Sequence, residues 1–380
     1  MQSFLRWIAK AIRTRGSTAY HCHGPLSRLG SCLPLGCSRS RFNSGPGDVL
    51  PLEGRSLPSD ICALLSSIQG DVSQLLELHA HAEVFQLAKR AFFPSGKLMR
   101  PRVILLMAAL CNKMQEAMGP SAVSKKQYKI AMVAEMIHVA SLIHDDIIDE
   151  ASTRRGALTF NESDGCMTAV FLGNFILAQA TLLLTSVGRA DVIQILAQVI
   201  EDLVRGEFMQ ADQMVSEENS FSDYVLKSYK KTGSLFSHSL KAVAVLGSCS
   251  NYVVDMAFNF GRNFGIMFQL VDDLLDFTST DDEQGKPVGA DLRAGVITGP
   301  VLFACRQYPE IVDIIRRQFA EPGDFDWCMS LVRQSDGILR TKQLAEQFRA
   351  EASRCLLGFP DSEYRNCLDS MCSERMNQIH

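Results

Sequence analysis

Apolar residues recur three or four positions apart through most of the chain after residue 58. This spacing is typical of helices that bury one face. Pro and Gly fall between these runs, and no alternating series of apolar and polar residues predicts a hairpin. The clearest runs are Ile61, Leu64, Leu65 and Ile68; Val103, Leu106, Met107 and Leu110; and Ile193, Ile195, Leu196, Val199, Ile200 and Leu203. The pattern predicts an all-α protein.

The N-terminal segment differs from the rest of the chain in charge. The formal net charge is −4, but residues 1–47 carry seven basic side chains and no acidic one, so the remainder carries −11. With apolar residues among its first basic ones, this segment is typical of a mitochondrial transit peptide, and a disordered basic arm is the alternative. We therefore expect a removable extension over residues 1–50, one helical domain over residues 51–380, and location in the mitochondrial matrix.

Composition narrows the functional classes. Of the 380 residues, 47% are hydrophobic and 21% are charged, which allows a substantial core and excludes a disordered protein. The negative net charge argues against a nucleic-acid-binding protein, because such a protein needs a basic face. The twelve cysteines are scattered and form no Cys-x-x-Cys pair, so they predict buried free thiols rather than disulfides or a structural zinc site.

One stretch of the chain is long enough to cross a membrane. The 24 residues from Gly165 to Gly188 carry no charge, and a bilayer needs about 20 apolar residues. Polar residues, among them Asn174 and Gln179, interrupt the stretch. We therefore expect a helix that is buried on all sides of a helical bundle.

Two acidic motifs with the pattern Asp-Asp-x-x-Asp stand inside apolar helical sequence, 127 residues apart. The first consists of Asp145, Asp146 and Asp149, and the second of Asp272, Asp273 and Asp276. On a helix, the first and third Asp of each motif lie one turn apart on the same face. Two unit charges about 4 Å apart repel by about 4 kcal/mol at an effective dielectric near 20. Carboxylates in such apolar surroundings therefore require a positive partner.

A divalent cation would supply that positive charge. Oxygen ligands without interleaved His or Cys favour Mg²⁺, which completes its coordination with water and substrate phosphate. A single motif of this kind could equally be a solvated acidic face. The second copy, and the Ile, Leu and Val residues that flank both copies, favour metal binding.

Basic residues accompany both acidic motifs along the chain. They are Lys97 and Arg100 in Gly-Lys-Leu-Met-Arg-Pro, Arg154 and Arg155 after the first motif, Lys230 and Lys231 before Thr232, and Lys286 after the second motif. Each of them alone is an ordinary surface residue. Together with the carboxylates, they predict a diphosphate substrate that is held by metal on one side and by Lys or Arg on the other.

The motifs, in their order, resemble those of the trans-polyprenyl diphosphate synthases. The set comprises Gly-Lys-x-x-Arg-Pro, Leu-Ile-His-Asp-Asp-x-x-Asp, Arg-Arg-Gly, Lys-Thr-Gly, Phe-Gln-x-x-Asp-Asp-x-x-Asp and Gly-Lys-Pro-x-x-x-Asp-Leu, and the resemblance covers residues 60–375. Within the family, residues 201–208 and 299–304 resemble the catalytic subunits of animal decaprenyl and solanesyl diphosphate synthases, which make the side chain of ubiquinone. The resemblance implies an isoprenoid synthase-type bundle of helices around a central substrate cavity.

The resemblance also implies a role for each matched residue. The implied ligands of isopentenyl diphosphate are Lys97, Arg100, His138 and Arg155, and those of the allylic diphosphate are Arg154, Lys231, Thr232, Gln269 and Lys286. The implied ligands of two or three Mg²⁺ ions are Asp145, Asp146, Asp149, Asp272, Asp273 and Asp276. Of these, Asp145, Asp149 and Asp272, together with Lys231, are the candidate catalytic residues. Thr232 and Gln269 could instead cap or bridge helices.

The implied reaction is prenyl transfer from an allylic primer, farnesyl or geranylgeranyl diphosphate, to isopentenyl diphosphate. A short-chain farnesyl or geranylgeranyl diphosphate synthase is an alternative. A non-catalytic partner subunit is another, although such a subunit would have lost the aspartates and basic residues that are intact here. We expect an oligomer, either with a second prenyl synthase-like subunit or as a homodimer, and a peripheral membrane contact for product release.

Product length is predicted from one small residue. Ala140 lies five positions before Asp145. The family resemblance implies that a bulky aromatic residue at this position blocks the hydrocarbon chain and limits the enzyme to short products. Ala140, with Ser141 beside it, therefore implies a long tunnel and a long product. The alternative is that Ala140 only permits close helix packing.

Overall fold

The computed structural model describes residues 57–92, 98–114, 122–154, 156–211, 221–278 and 288–379. Helices dominate these residues. The strands among them, β1 (Thr153–Arg154) and β2 (Ala157–Leu158), are two residues long each and pair antiparallel. The prediction of an all-α protein is confirmed, and the boundary predicted at residue 50 lies outside the described residues.

The helices follow one another with short connections. They are α1 (Ser59–His79), α2 (Ala82–Ala91), α3 (Met99–Met114), α4 (Lys125–Ile148), α5 (Phe160–Ser163), α6 (Cys166–Thr185), α7 (Ala190–Ala211), α8 (Phe221–Ser228), a π-helical turn (Tyr229–Gly233), α9 (Ser234–Leu246), α10 (Asn251–Thr278), α11 (Ala290–Arg293), α12 (Gly299–Ala304), α13 (Glu310–Arg316), α14 (Asp324–Gln334), α15 (Gly337–Leu356) and α16 (Glu363–Met376).

The main core surrounds two helices that are buried on nearly every side. In α3 every residue from Pro101 to Cys111 is buried, and α4 buries residues on all of its faces. Helix α3 packs against α4, α9 and α16. A helix that is apolar all round belongs in the interior of a large bundle, and the run from Val103 to Cys111 in α3 has this composition.

Helix α10 connects this core to the second acidic motif. It packs along α9 and α15. Phe236 of α9 meets Phe264 of α10 edge to face, with 5.1 Å between ring centroids, and Phe260 stacks on Phe264 at 5.8 Å. All three rings are fully buried. Such aromatic pairs prefer defined geometries, so they fix the position of α10 relative to α9.

A second, smaller core covers the C-terminal end of α10. Phe277 packs there with Leu292 of α11, Val301 of α12, and Ile311 and Ile314 of α13. Helices α11, α12 and α13 are therefore held against the end of α10 by apolar burial, which contributes roughly 25 cal/mol per Å² removed from water.

Helix α6 differs from the expectation of a fully buried helix. Its mean hydropathy reaches 1.8, and among the described residues it is the one helix whose length and composition suit a membrane crossing. One face packs against α4, where a side chain on Gly173 would overlap the imidazole of His144. The opposite face exposes Met167 (63%), Phe171 (57%) and Leu182 (56%). The prediction of burial on all sides is wrong, because α6 lies at the edge of the bundle.

Both acidic motifs lie at the C-terminal ends of long helices. Helix α4 ends at Ile148, and Asp149 is its C-cap, whereas α10 continues to Thr278, two residues beyond Asp276. A helix C-terminus carries partial negative charge, so carboxylates there are unfavourable unless a cation is near.

Nine cysteines lie among the described residues, each a free thiol, and the prediction that they are buried is correct for only some of them. Cys111, Cys328, Cys367 and Cys372 are buried, whereas Cys166 at the start of α6 is exposed.

Candidate active site

A cavity of about 820 Å³ brings the two acidic motifs together. Asp145 and Asp149 line it from the end of α4, and Asp272 and Asp273 line it from the end of α10. Apolar side chains of α1, including Ile68 and Val72, form part of the wall. The volume is in the range of small-molecule sites, roughly 300–1,000 Å³.

The first acidic motif divides its three carboxylates between two tasks. Asp145 and Asp149 face the cavity, whereas Asp146 is buried and does not line it. The Asp146 carboxylate accepts hydrogen bonds from Nε of Arg154 at 2.8 and 3.0 Å and forms an ion pair with its Nη2 at 2.6 Å. Arg154 itself lines the cavity. Asp146, predicted as a metal ligand, is therefore placed as the anchor of a cavity arginine.

The two cavity carboxylates of this motif, Asp145 and Asp149, resist ionisation. Burial, followed by the charge of Glu207, raises the pKa of Asp145 from its ordinary 3.8 to about 7. Burial also raises the pKa of Asp149, although Lys231 opposes the shift. Two carboxylates that resist ionisation side by side are the arrangement that a divalent cation stabilises.

Lys231 is held in the cavity wall by α7. Its Nζ lies 2.7 Å from Oε1 of Glu207 and donates a hydrogen bond of 2.9 Å to Oε1 of Gln210. Burial by itself lowers the pKa of Lys231, but Glu207 and Asp145 outweigh it and raise the pKa above the ordinary 10.5. The ammonium therefore stays charged beside the first acidic motif.

A π-helical turn presents Lys231 and the neighbouring Thr232 to the cavity. A π turn inserts an extra residue into a helix and is frequent at functional sites. It approaches α10 so closely that a Cβ on Gly265 would lie 2.5 Å from the Cα of Gly233. Because both positions are glycine, the hydroxyl of Thr232 can donate a hydrogen bond of 2.7 Å to Oε1 of Gln269. Thr232 and Gln269, two of the expected allylic-diphosphate ligands, thus line the cavity and also connect the π turn to α10.

Asp273 is the centre of a hydrogen-bond network in the second acidic motif. Nε2 of Gln269 donates to Oδ1 of Asp273 at 2.9 Å, and the hydroxyl of Tyr224 donates to its other oxygen. Burial raises the pKa of Asp273 to about 6 despite these two donors. Its neighbour Asp272 forms an ion pair with Arg375, whose guanidinium lies 3.9 Å from the centroid of the Phe268 ring.

Asp276 is directed away from the cavity. Its side chain is fully buried, and its two oxygens accept hydrogen bonds from the backbone N–H groups of Ala290 and Asp291 at 3.2 and 3.3 Å. The structure therefore places this predicted metal ligand under the first turn of α11.

The remaining predicted site residues divide into two groups. Arg100 and His138 line the same cavity as the carboxylates, and the Arg100 guanidinium lies over the Phe236 ring at 5.4 Å. Lys97, Arg155 and Lys286 lie outside the described residues. The roles of all these residues in substrate binding stay predictions.

The sequence reasoning missed several polar residues at the cavity. Gln210, Tyr224, Lys227, Asp291 and Arg375 line it, and Glu207 contacts Lys231 from outside the lining. Lys227 lies one helical turn before Lys231, so the spacing could have identified it. Burial lowers its pKa to about 8. Arg375 lies 103 residues from Asp272, and no local pattern connects the two.

The donor set fits Mg²⁺. In the part of the chain that the structure describes, no three His, Cys, Asp or Glu side chains lie close enough to hold an ion by themselves. The cavity instead offers carboxylate oxygens in separate groups, beside cations that suit a diphosphate. Mg²⁺ is usually bound by one or two carboxylates with water and substrate phosphate, so such a set matches its preference.

An all-α bundle whose two aspartate motifs meet at one cavity defines an isoprenoid synthase-type enzyme. The sequence model of the polyprenyl synthetase family matches residues 81–332, and the chain belongs to this family. It is therefore a prenyltransferase, as its sequence predicted.

Relatives and solved structures agree with this assignment. The human all trans-polyprenyl-diphosphate synthase PDSS1 is 42% identical over 346 residues, which cover 90% of this chain and 83% of the human protein. Decaprenyl-diphosphate synthase subunit 1 of Schizosaccharomyces pombe is 36% identical and covers 82% of this chain and 88% of its own. The polyprenyl synthase of Caulobacter crescentus, solved with calcium and isoprenyl diphosphate, superimposes with a TM-score of 0.75 at 25% identity, covering 89% of this chain and 100% of its own.

Proposed function

We propose that this protein is a long-chain all-trans-polyprenyl diphosphate synthase that condenses isopentenyl diphosphate onto an allylic diphosphate and makes the side chain of ubiquinone. The observation that carries the proposal is the single cavity in which Asp145, Asp149 and Asp272 face Lys231 and Arg100. Carboxylates alone would suit a cation, and basic residues alone would suit an anion. Their combination suits a metal-bound diphosphate.

Departure of diphosphate from the allylic carbon is the step that this cavity assists. Asp145, Asp149 and Asp272 would hold Mg²⁺, which supplies Lewis-acid stabilisation of the negative charge that develops on the leaving diphosphate. Lys231, kept charged by Glu207, and Arg154, fixed by Asp146, stabilise the same charge from the protein side. These groups are positioned before the reaction, so they need little reorganisation when charge develops.

Isopentenyl diphosphate would bind beside Arg100 and His138. Its double bond attacks the allylic cation, a new carbon–carbon bond forms, and loss of a proton to the released diphosphate restores the alkene. The product is again an allylic diphosphate, longer by one isoprene unit, and it can serve as the next primer. No side-chain nucleophile takes part in this sequence.

The proposal is tested with the full-length protein, farnesyl or geranylgeranyl diphosphate, labelled isopentenyl diphosphate and Mg²⁺. We expect long-chain products, separated by length on a reversed-phase column, and no product after chelation of the metal. Products that stop at farnesyl or geranylgeranyl diphosphate, even with a partner subunit present, would replace the long-chain function by the short-chain one. No incorporation under any condition would favour a non-catalytic subunit.

Small residues before the first acidic motif support a long product. Ala140 is completely buried in α4, and Ser141 lines the cavity. Both side chains are small, which supports the proposal that a hydrocarbon tail can grow past this turn of α4. We expect Ala140→Phe to shorten the main product without abolishing the first condensation, because the diphosphate ligands are untouched. Unchanged long products would leave close helix packing as the role of Ala140.

The uncharged face of α6 supports an oligomer. Met167, Phe171 and Leu182 form an exposed apolar stripe at helical spacing, and stripes of this kind mark interaction sites. The matched S. pombe protein is named as a subunit, so the occupant that we propose is a second prenyl synthase-like chain. Sedimentation of Phe171→Glu should show loss of the oligomer. A homodimer in the absence of any other chain would identify a second copy as the occupant instead.

The basic, acid-free residues 1–47 support import into mitochondria, and the matrix is the compartment that we propose. Residues 1–50 fused to a fluorescent passenger should carry it there, and a chain that starts at residue 51 should keep its catalytic activity. A cytosolic passenger would contradict targeting, and loss of activity on truncation would show that the segment belongs to the fold.

A further inference from the structure

The third aspartate of the second acidic motif, Asp276, uses its carboxylate to accept hydrogen bonds from backbone N–H groups. Both oxygens of Asp276 accept N–H groups from the start of α11, and its own carbonyl accepts a hydrogen bond of 2.9 Å from the N–H of Gly289. Its side chain is fully buried. A carboxylate that is satisfied in this way would lose both backbone hydrogen bonds if it turned toward a ligand, and the two buried N–H groups would be left without an acceptor.

The residue that Asp276 positions does reach the cavity. Asp291, whose N–H donates to Asp276, lines the cavity together with Asp149 and Asp273. Its neighbour Leu292 is buried in the smaller core, so α11 is held on both of its sides. The carboxylate of Asp291 therefore lies at the cavity because Asp276 and Leu292 fix the short helix that carries it.

Two residues of α8 fasten the chain that follows α11. Nζ of Lys227 donates to the carbonyl oxygen of Ile297 at 3.3 Å. The hydroxyl of Tyr224 donates to Asp273 and lies so close to Gly299 that a Cβ there would be 2.8 Å from its oxygen. The segment from Gly289 to Gly299 is thus fixed to α10 at Asp276 and to α8 at Tyr224 and Lys227.

The charge of Asp291 acts on both acidic motifs. After burial, it contributes to the raised pKa of Asp273, and it also raises the pKa of Asp149 on α4. Asp291 lines the same cavity as Asp149 of the first motif and Asp273 of the second, so its carboxylate faces the space that the two motifs share.

We propose that Asp291 is the third cavity carboxylate of the second acidic motif, and that Asp276 is a positioning residue that acts through Asp291. The inference rests on the proposed function, since it concerns the metal and diphosphate of that site. The Asp-Asp-x-x-Asp spacing predicts Asp276 as a metal ligand, and this inference assigns that role to Asp291, which lies 15 positions further along the chain.

Metal binding tests the inference without turnover. The probe is Mn²⁺ in the presence of inorganic diphosphate, titrated with the full-length protein and followed by electron paramagnetic resonance. The variants are Asp291→Asn, Asp276→Asn and the double variant, with melting temperatures measured alongside. Asp255→Asn, an exposed position on the same helix as Asp276, is the matched control.

We expect Asp291→Asn to weaken Mn²⁺ binding about tenfold, as losses around metal sites commonly do, without lowering the melting temperature. Asp276→Asn should weaken binding to a similar extent and lower the melting temperature, because α11 loses its anchor. In the double variant the affinity should equal that of Asp291→Asn, since Asp276 acts only through Asp291. The control should match the wild type.

Two results would overturn the inference. One is wild-type affinity in Asp291→Asn, and the other is a further loss of affinity when Asp276→Asn is added to Asp291→Asn. If Asp276→Asn does not fold, the Asp291→Asn titration decides alone. If the wild-type protein binds no Mn²⁺ in the presence of diphosphate, that result would contradict the proposed function and also this inference.

Discussion

The two acidic motifs have the same spacing but use their carboxylates differently. In the first, the outer aspartates Asp145 and Asp149 face the cavity, and the middle one binds Arg154. In the second, the first two aspartates face the cavity, and the third, Asp276, binds backbone N–H groups. Identical sequence patterns therefore place two different sets of carboxylates at the cavity.

The difference arises from where each helix ends. Helix α4 ends at Ile148, so Asp149 is a C-cap with one side open to the cavity. Helix α10 runs on to Thr278, and α11 packs under its last turn, so Asp276 is enclosed. The lesson is that the residues just after a motif decide which of its side chains can meet a ligand.

Replacement of a cavity carboxylate in the first motif should have the largest effect. Asp145→Ala removes a candidate Mg²⁺ ligand, so turnover should fall by about a hundredfold or more. The melting temperature should stay the same or rise, because repulsion with Glu207 and Asp149 is also removed. Steady-state kinetics and thermal unfolding measure the two effects. Near-normal turnover would show that Asp145 holds no metal.

Replacement of the middle aspartate should affect turnover less and stability more. Asp146→Asn removes the charge that fixes Arg154, and we expect turnover to fall about tenfold through a misplaced guanidinium. Since Asp146 is buried, the free energy of unfolding should fall by about 1–3 kcal/mol. Urea unfolding and kinetics measure both. A larger loss of turnover than in Asp145→Ala would reverse the division of tasks within this motif.

The π turn and α10 approach each other closely at Gly233 and Gly265, and a substitution that adds one methyl group tests this contact. Gly265→Ala places a Cβ 2.5 Å from the Cα of Gly233, so the free energy of unfolding should fall by about 1–3 kcal/mol and activity should drop as Lys231 shifts. Gly70→Ala in α1 is the control, because no atom lies within 4 Å of its added Cβ. The control should gain about 0.5–1 kcal/mol of stability. Equal effects at the two positions would contradict the close approach.

The raised pKa of Asp145 predicts a pH dependence of stability without metal. Its pKa is 3.8 in an ordinary setting and about 7 in the folded chain, so the folded state binds the proton more tightly. The resulting destabilisation is absent below about pH 4, grows as the pH rises, and is complete above about pH 7. At about pH 8 the Asp145→Asn variant should therefore melt at a higher temperature than the wild type, and this difference should shrink as the pH is lowered to about 5. A constant difference would contradict the raised pKa.

The sequence predicted the local features of the molecule well. The helical class, both acidic motifs, and cavity positions such as Arg100 and His138 follow from spacing or from the family resemblance within short segments. The direction of Asp276 could not follow in this way, because it depends on where α10 ends and on a segment beyond it. Arg375 is a longer-range case, since it reaches Asp272 only after α16 has packed against the core. The exposed face of α6 was missed because its composition matches that of a buried helix.

That exposed face has a consequence for the fate of the chain in the cell. If the proposed second prenyl synthase-like chain covers this face, a newly made copy without that partner carries an apolar stripe of Met167, Phe171 and Leu182 on its surface. Unpartnered apolar surface is what chaperones and proteases recognise, so surplus copies would be removed and the steady-state amount would follow that of the partner. The abundance of this enzyme, and with it the supply of long isoprenoid chains, would then be set by whichever subunit is scarcer.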